Sequence, residues 1–380
     1  MAAAGEAPRP EELLYGEQEL VPEAAGWGHE PGSMLSRFDQ ALLAGWSDRM
    51  ERGLFRYRLG ALPTRLLPGP MGLVAQLNAQ RGTQRRPPQP VCSLRQPFNP
   101  QDFNFTRIHP DEVLFCLRRA GDGCHAAPDP LLVAINASPL ERGHVLLLPE
   151  PARGLPQALT AAGLRGALEA LLLSTHPGFR VGFNGLGGYA SVNHLHFHGL
   201  YLPRPLLVES VPAQPLCPPH CFSLLRDVPA PAFLFYAAGP AELEALARDM
   251  CRAAEHVAEA GLACNLFATR GDPPAGPGGR RGLRVLLWAR RPSFGAKAST
   301  AFNVALCELA GYLPLPSEPL YREMTEAEAL RNICEPLLPE PELLRLGRAL
   351  ARLLVPEGAA PAAARQGAPR GAGAAQLLPT

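Results

Sequence analysis

From Glu112 onward the apolar residues fall into short runs closed by Gly, Pro or Asn, a spacing that predicts strands. The runs are "EVLFCLRR" (112–119), "PLLVAINAS" (130–138), "GHVLLLPE" (143–150), "FRVGFNG" (179–185) and "NHLHFHGLYL" (193–202). A helical pattern over 156–174 separates the third run from the fourth. An earlier helix is predicted over Ser36–Arg52, with Leu42, Leu43, Trp46 and Met50 on one side. After a Pro-rich link (203–219), "PAFLFYAA" (231–238) reads as a strand and Ala241–Ala260 as an amphipathic helix. "LACNLFATR" (262–270) and "GLRVLLWARR" (282–291) follow as strands. The helix, strand, hairpin, strand order therefore recurs, and predicts an α+β fold: an antiparallel sheet with helices, duplicated in its second half. Elements over 300–313 and two C-terminal helices complete the chain, the first of these opening with a capping box at Thr325 and Glu328. The expected organisation is a flexible segment at 1–32, a first half at 33–205, a second half with the C-terminal helices at 206–354, and a disordered low-complexity tail at 355–380.

Within "NHLHFHGLYL" the polar positions carry chemistry. His194, His196 and His198 occupy every second position of an expected strand, so they share one face at steps of roughly 7 Å. Leu195 and Phe197 face the opposite way, into a core. The chain has only ten histidines, so three at strict alternation argue against chance placement. Metal ligation is one alternative, but no carboxylate or cysteine stands nearby to complete a ligand set. The other is covalent catalysis, with one imidazole attacking phosphorus while its neighbours orient it and handle protons. A glycine-rich turn (Gly185, Gly187, Gly188) precedes the segment. Such a turn either brings backbone N–H groups close to phosphate oxygens or serves as an ordinary hairpin connection. The counterpart segment of the second half, "GLRVLLWARRP", has no histidine, so that half is expected to be degenerate.

Composition narrows the possibilities. The formal net charge of +1 provides no global field for nucleic acid or an acidic membrane. Nine scattered cysteines do not form a disulfide framework. No signal peptide is legible at the start of the sequence, and no apolar run approaches the length of a membrane span. These features lead to the expectation of a cytoplasmic protein. "RGTQRRPPQP" (81–90) is expected to be an irregular loop, with Arg81, Arg85 and Arg86 either gripping phosphate or guanine's acceptor edge, or presenting a solvated or partner-binding surface. "CPPHC" places Cys217, His220 and Cys221 as half of a possible zinc site, for which only Cys124 and His125 offer a second half. No metal is therefore expected.

The segment His194-Leu195-His196-Phe197-His198-Gly199-Leu200 resembles the histidine-triad motif. Asn136, Pro139 and Gly143-His144 resemble the upstream signature of that superfamily. Longer blocks, among them "GLFRYRLGALPTRLLPG", "QPFNPQDFNFTRI" and "NVALCELAGYLPL", are similar to the GDP-hexose phosphorylases, and the resemblance extends over about 53–354. It implies an enzyme that takes GDP-D-glucose and inorganic phosphate to GDP and α-D-glucose 1-phosphate, without a further cofactor. In this scheme His196 attacks the α-phosphorus and forms a guanylyl-histidine, His194 holds the nucleophile's tautomer, and His198 binds an α-phosphate oxygen. The same resemblance places Asn136, His144, Asn184 and Ser191 at the substrate. It sets Lys297 and Glu308 where the uridylyltransferase relatives contact the sugar, Glu308 equally suiting a buried structural role. Arg85 and Arg86 join the candidate substrate contacts on the alternative already given for their loop.

One residue departs from the related uridylyltransferases. They carry Gln at the third triad position, where this chain has His198, the residue usual in the hydrolase branches. A nucleotide-sugar or dinucleotide hydrolase releasing GMP is thus the alternative enzyme, and a non-catalytic binding protein the alternative of another class. A duplicated chain supplies internally what single-domain relatives gain by pairing, so a monomer is expected.

Overall fold

The computed structural model describes residues 10–23, 27, 35–121, 130–217, 222–294 and 302–354. Its first long helix, α1 (Arg37–Glu51), starts where the Ser36 hydroxyl accepts from the Asp39 N–H, satisfying one of the orphan amides of a first turn. Leu42 and Trp46 are buried on its inner side, with Leu43 and Met50 at the margin.

Each apolar run of the first half forms its strand: β4 (Val113–Arg119), β5 (Leu131–Ile135), β6 (Val145–Pro149), β7 (Phe179–Asn184) and β8 (Phe197–Tyr201). Between β6 and β7 runs α3 (Ala161–Leu173). It begins later than the periodicity implies, because Thr160 caps the Gly163 N–H and so fixes the first turn there. The second half supplies β9 (Gln214–Cys217), β10 (Phe222–Leu225), β11 (Ala232–Ala237), α4 (Leu243–Glu259), β12 (Ala263–Gly271) and β13 (Gly282–Arg290).

The sheet order explains why the pattern recurs. Reading outward, the first half runs β7-β8-β6-β5-β4 and the second β12-β13-β11-β10-β9, joined by the antiparallel β7–β12 seam. Three strands, a helix and a hairpin thus occur twice with the same neighbours, and α3 packs beside α4. β13 is buried along its whole length, so its centre, 285–289, reads as an unbroken apolar run between the buried Arg284 and Arg290. Strand alternation splits the side chains between two layers. Phe197 and Tyr201 of β8 face the layer that holds α1, α3, α4 and α8 (Glu340–Leu354). Leu200 faces the opposite layer, and by the same alternation so does His198.

The opposite layer is closed by a small sheet of β14 (Tyr312–Leu315), β3 (Val74–Leu77) and β2 (Thr64–Leu66), together with α5 (Leu306–Leu309), α6 (Glu318–Glu323) and α7 (Glu326–Cys334). Helix α7 opens with the predicted Thr325/Glu328 box, the Thr325 hydroxyl accepting from the Glu328 N–H at 3.3 Å.

Several expectations are corrected. Within the N-terminal segment expected to be flexible, β1 (Glu12–Tyr15) pairs in parallel with β4, and the Tyr15 hydroxyl donates to Glu169 at 2.7 Å. The Pro-rich link carries β9 and the buried Glu209, whose carboxylate meets the fully buried Arg180 guanidinium at 2.5 Å. "RGTQRRPPQP" is irregular only from Arg85 on. Before it, α2 (Ala79–Gln84) forms because the Asn78 side chain caps the Arg81 N–H. Residues 355–380, Lys297, Cys124, His125, His220 and Cys221 lie outside the described residues. Among the described residues no group of three or more His, Cys, Asp or Glu side chains is placed to hold a metal ion. No described helix is long and apolar enough to cross a membrane.

Candidate active site

The three histidines do not form the uniform strand face that their alternation predicts. Regular pairing in β8 begins only at Phe197, and the two residues before it take a different kind of partner. The Gln157 amide, buried between α3 and the seam, accepts from the His196 N–H at 2.9 Å and donates to the His196 carbonyl at 3.1 Å. It also donates to the Asn184 carbonyl at 2.9 Å. One side chain therefore satisfies the backbone groups that a neighbouring strand would otherwise have to pair.

His196 is oriented by its neighbour's backbone. Its Nδ1 lies 2.7 Å from the His194 carbonyl. A carbonyl only accepts, so Nδ1 carries the proton and the Nε2 lone pair is bare. Burial pushes the imidazole pKa down to about 4, against a smaller rise from that carbonyl. His196 is therefore neutral near pH 7, in the tautomer a nucleophile needs. The predicted tautomer control by His194 thus comes from its main chain. The His194 ring lies between Phe98 and Phe105 at 5.0 and 5.6 Å, with Nδ1 accepting from the Phe105 N–H at 3.0 Å.

His198 is oriented by a relay. The Leu140 N–H donates to His144 Nδ1 at 2.9 Å, which leaves the His144 proton on Nε2. That Nε2 meets His198 Nδ1 at 3.1 Å, so the His198 proton resides on Nε2. Burial, followed by neighbouring positive charge, holds both imidazoles well below the ordinary histidine range. His196 and His198 stand edge to face, 5.2 Å apart. The pair presents one bare nitrogen and one N–H.

Both rings line a cavity of ≈ 330 Å³. Arg56, Arg81, Arg85 and Arg86 also line it, and among the described residues none of the four has a carboxylate within ion-pair distance. Arg81 donates to the Ser138 carbonyl. Asn303, with its side-chain oxygen turned toward Arg85, accepts from both guanidinium nitrogens at 3.2 and 3.3 Å. Arg86 lies over the Phe103 ring, 3.2 Å from its centroid. Burial lowers the pKa of Arg85 and Arg86, with Arg81 and Arg56 respectively adding repulsion. A cavity that gathers four guanidinium groups against two carboxylates, Glu112 and Glu308, favours an anionic occupant.

The cavity gathers most of the residues named from sequence: His196, His198, Asn136, Asn184, Ser191, Arg85, Arg86 and Glu308. His144 is not on its wall. It is fully buried behind His198 and acts on that ring, not on a ligand. Asn184 is partly committed to the fold, since its Oδ1 accepts from Asn265 at 2.6 Å and from the Leu306 N–H at 3.1 Å. The Glu308 carboxylate accepts from the Ala305 N–H at 2.9 Å while lining the cavity.

The glycine turn does not cradle phosphate. The Gly185 and Gly188 amides bond to the Cys264 and Gly185 carbonyls. A Cβ at either residue would meet the Cys264 carbonyl oxygen at 2.7 or 2.8 Å. Their smallness lets the turn press against β12, the role of a close backbone approach.

Sequence reasoning missed Gln157, Arg56, Asn303 and the aromatic pair Phe103 and Phe105. A lone glutamine or arginine in a loop has no periodicity to betray it. The one usable signal was that Arg56, Phe103, Phe105 and Asn303 fall within blocks of similarity quoted above, whereas Gln157 does not.

Comparison with known proteins adds family information. The family model described as "GDPGP1-like, N-terminal domain" matches residues 37–200, and "GDPGP1-like, C-terminal domain" matches 220–350. The chain is 51% identical to GDP-D-glucose phosphorylase 1 of Bos taurus, covering 91% of this chain and 92% of that protein. To the Homo sapiens protein of the same name it is 50% identical over the same shares. GDP-L-galactose phosphorylase 2 of Arabidopsis thaliana is 30% identical, over 82% of this chain and 75% of that one. Among solved structures, yeast Ap4A phosphorylase Apa2 in complex with Ap4A superposes with a TM-score of 0.54 at 12% identity, covering 80% of this chain and 99% of that chain. The last comparison speaks to the fold alone.

Proposed function

The chain belongs to the GDPGP1-like family, and from that premise we propose that it phosphorolyses GDP-D-glucose to GDP and α-D-glucose 1-phosphate. The observation that carries the mechanism is His196. It is neutral, its Nδ1 is tied to a carbonyl, and it lines the same cavity as four arginines.

In the first step the His196 Nε2 lone pair attacks the α-phosphorus. A P–N bond forms, the P–O bond to the β-phosphate breaks, and glucose 1-phosphate leaves with that electron pair. In the second, an oxygen of inorganic phosphate attacks the guanylyl-histidine, forming the new P–O bond of GDP and returning the pair to Nε2. Each displacement is easier than a direct one between two anions. His198 donates its Nε2–H to a non-bridging α-oxygen, and Arg81 and Arg85 take up the charge that builds on the transferring group. Phosphate is the co-substrate. The guanidinium groups supply the neutralisation that a metal would otherwise give, and the reading includes no cofactor.

We further propose a monomer, supported by the β7–β12 seam that joins two equivalent halves within one chain. A solution mass of two chains would contradict it. A cytoplasmic location fits nine cysteines without a disulfide framework, and fractionation with a tagged chain tests it.

The deciding experiment supplies GDP-glucose with and without phosphate to wild type and His196→Asn, and separates the nucleotides. GDP that depends on phosphate and vanishes in the variant is expected. GMP formed at a rate indifferent to phosphate would replace phosphorolysis with hydrolysis.

A further inference from the structure

The cavity extends in two directions from the reacting histidines, and sheet register tells them apart. His198, Leu146, Ala134 and Val113 stand in one row across β8, β6, β5 and β4. At roughly 4.8 Å per strand that row covers about 14 Å, room for a nucleoside laid outward from an α-phosphate held at His198. Ala134 and Leu146 belong to a small apolar cluster with Phe105 and Val192, separate from the two main cores. That cluster lines the cavity, so this arm has the walls of a slot for a flat ring. In the other direction His198 pairs with Gly182 of β7. Beyond it come Asn184, the Leu306 N–H that bonds Asn184, and then Glu308. The two carboxylates of the cavity wall, Glu112 and Glu308, therefore stand on opposite sides of the histidines.

Glu112 closes the outer end of the apolar arm. One carboxylate oxygen accepts from the His109 N–H at 3.0 Å, and a carboxylate retains further lone pairs after one such bond. Arg86 is its charged neighbour, that guanidinium also being repelled by Arg56, and Arg86 is held flat on Phe103. An acceptor beside a cation at the end of a flat apolar slot complements the Watson–Crick edge of guanine, which presents two N–H donors beside one carbonyl. Adenine would place a ring lone pair against the carboxylate and an amino group against the guanidinium, so the same groups that hold one purine repel the other.

We propose that Glu112 is the residue that selects guanine, accepting the N1–H and the 2-amino N–H while Arg86 donates to O6. The inference rests on the proposed function, and adds to it which wall reads the base. It leaves Glu308 to the hexose and leaving-group side.

The test compares kcat/KM for GDP-glucose, IDP-glucose, which lacks only the 2-amino group, and ADP-glucose, in wild type, Glu112→Gln and Glu308→Gln. Wild type is expected to prefer GDP-glucose over IDP-glucose by about tenfold to hundredfold, the worth of one N–H bond to a charged acceptor. Glu112→Gln keeps an oxygen for the His109 N–H, so the local turn stays capped. It should bring the GDP/IDP ratio close to one and narrow the GDP/ADP ratio. Glu308→Gln should leave both ratios at their wild-type values. If Glu112→Gln lowers all three substrates equally, or if Glu308→Gln is the variant that collapses the ratios, the assignment is wrong. Should the product be GMP instead of GDP, the ratios are taken on GMP release, and the base reading stands or falls independently of the acceptor. Without turnover, calorimetric Kd values for GDP, IDP and ADP on the same three proteins carry the same comparison.

Discussion

Gln157 permits a quantitative test of how the nucleophile is held. Replacing it with Leu keeps its approximate volume in a site that is 2% exposed. It removes the acceptor for the His196 N–H and the donor for the His196 and Asn184 carbonyls, three bonds of 2.9–3.1 Å. A buried backbone group left unpaired costs about 1–3 kcal/mol. The amide is a certain orphan and the carbonyls partial ones, so the loss should total about 3–5 kcal/mol. Urea denaturation followed by circular dichroism measures it. Catalysis should suffer separately, because His196 enters the cavity before regular strand pairing begins and Gln157 sets where its Cα lies. A displacement of about 1 Å at a reacting group costs roughly a hundredfold in rate. The expected kinetic result is kcat down by about that factor with KM for GDP-glucose little changed, since the arginines that would hold the phosphates are untouched. Gln157→Glu keeps the acceptor but turns an anion toward two carbonyls, and should fall between. A Gln157→Leu enzyme that loses stability yet retains kcat within about twofold would refute the positioning argument and leave Gln157 a purely structural residue.

Further outcomes follow from the same geometry. The His196 pKa lies at about 4 in the folded protein against an ordinary 6.5, so folding favours the neutral ring. Its contribution to stability is complete above pH 6.5 and is lost as pH falls through that value toward the folded one. The acid limb of kcat/KM for GDP-glucose should accordingly lie well below 6.5, and a limb at the ordinary histidine value would show that the ring is not desolvated. Glu209→Gln leaves the Arg180 guanidinium, fully buried, without its counter-ion, and should cost about 3–5 kcal/mol by chemical denaturation; a cost under 1 kcal/mol would mean that the carbonyls bonded to Arg180 suffice. Arg85→Ala should raise KM for GDP-glucose by about tenfold to a hundredfold, the worth of hydrogen bonds to a charged group, without lowering Tm, because removing a half-buried cation beside Arg81 relieves repulsion. A fall in Tm with KM unchanged would make Arg85 a structural partner of Asn303.

The sequence by itself determined the elements of both halves and the catalytic segment. Strand alternation and helical spacing are local properties, set by which neighbouring side chains must share a face, so β4 to β8, β11 to β13 and the main helices are legible one by one. The recurrence of helix, strand and hairpin was enough to indicate duplication, and the histidines were conspicuous because few residue types alternate by accident. The start of β8 was not legible. Alternation continues through His194, but pairing does not, because a glutamine distant in sequence took the place of the neighbouring strand. β1, β9 and Glu209 lay in segments whose Pro, Gly and Glu content looks like linker, and only a strand edge or a counter-ion from elsewhere, Arg180 in the case of Glu209, gave them structure. The tertiary structure alone decided which nitrogen of His196 is bare, that His144 serves His198 and not a ligand, and that the glycine turn packs against β12. It also brought Arg56, Arg81, Arg85, Asn303 and Glu308 into the lining of one cavity. Hydrogen-bond direction and cavity charge depend on groups that sheet pairing brings together from across the chain, and no local periodicity encodes them.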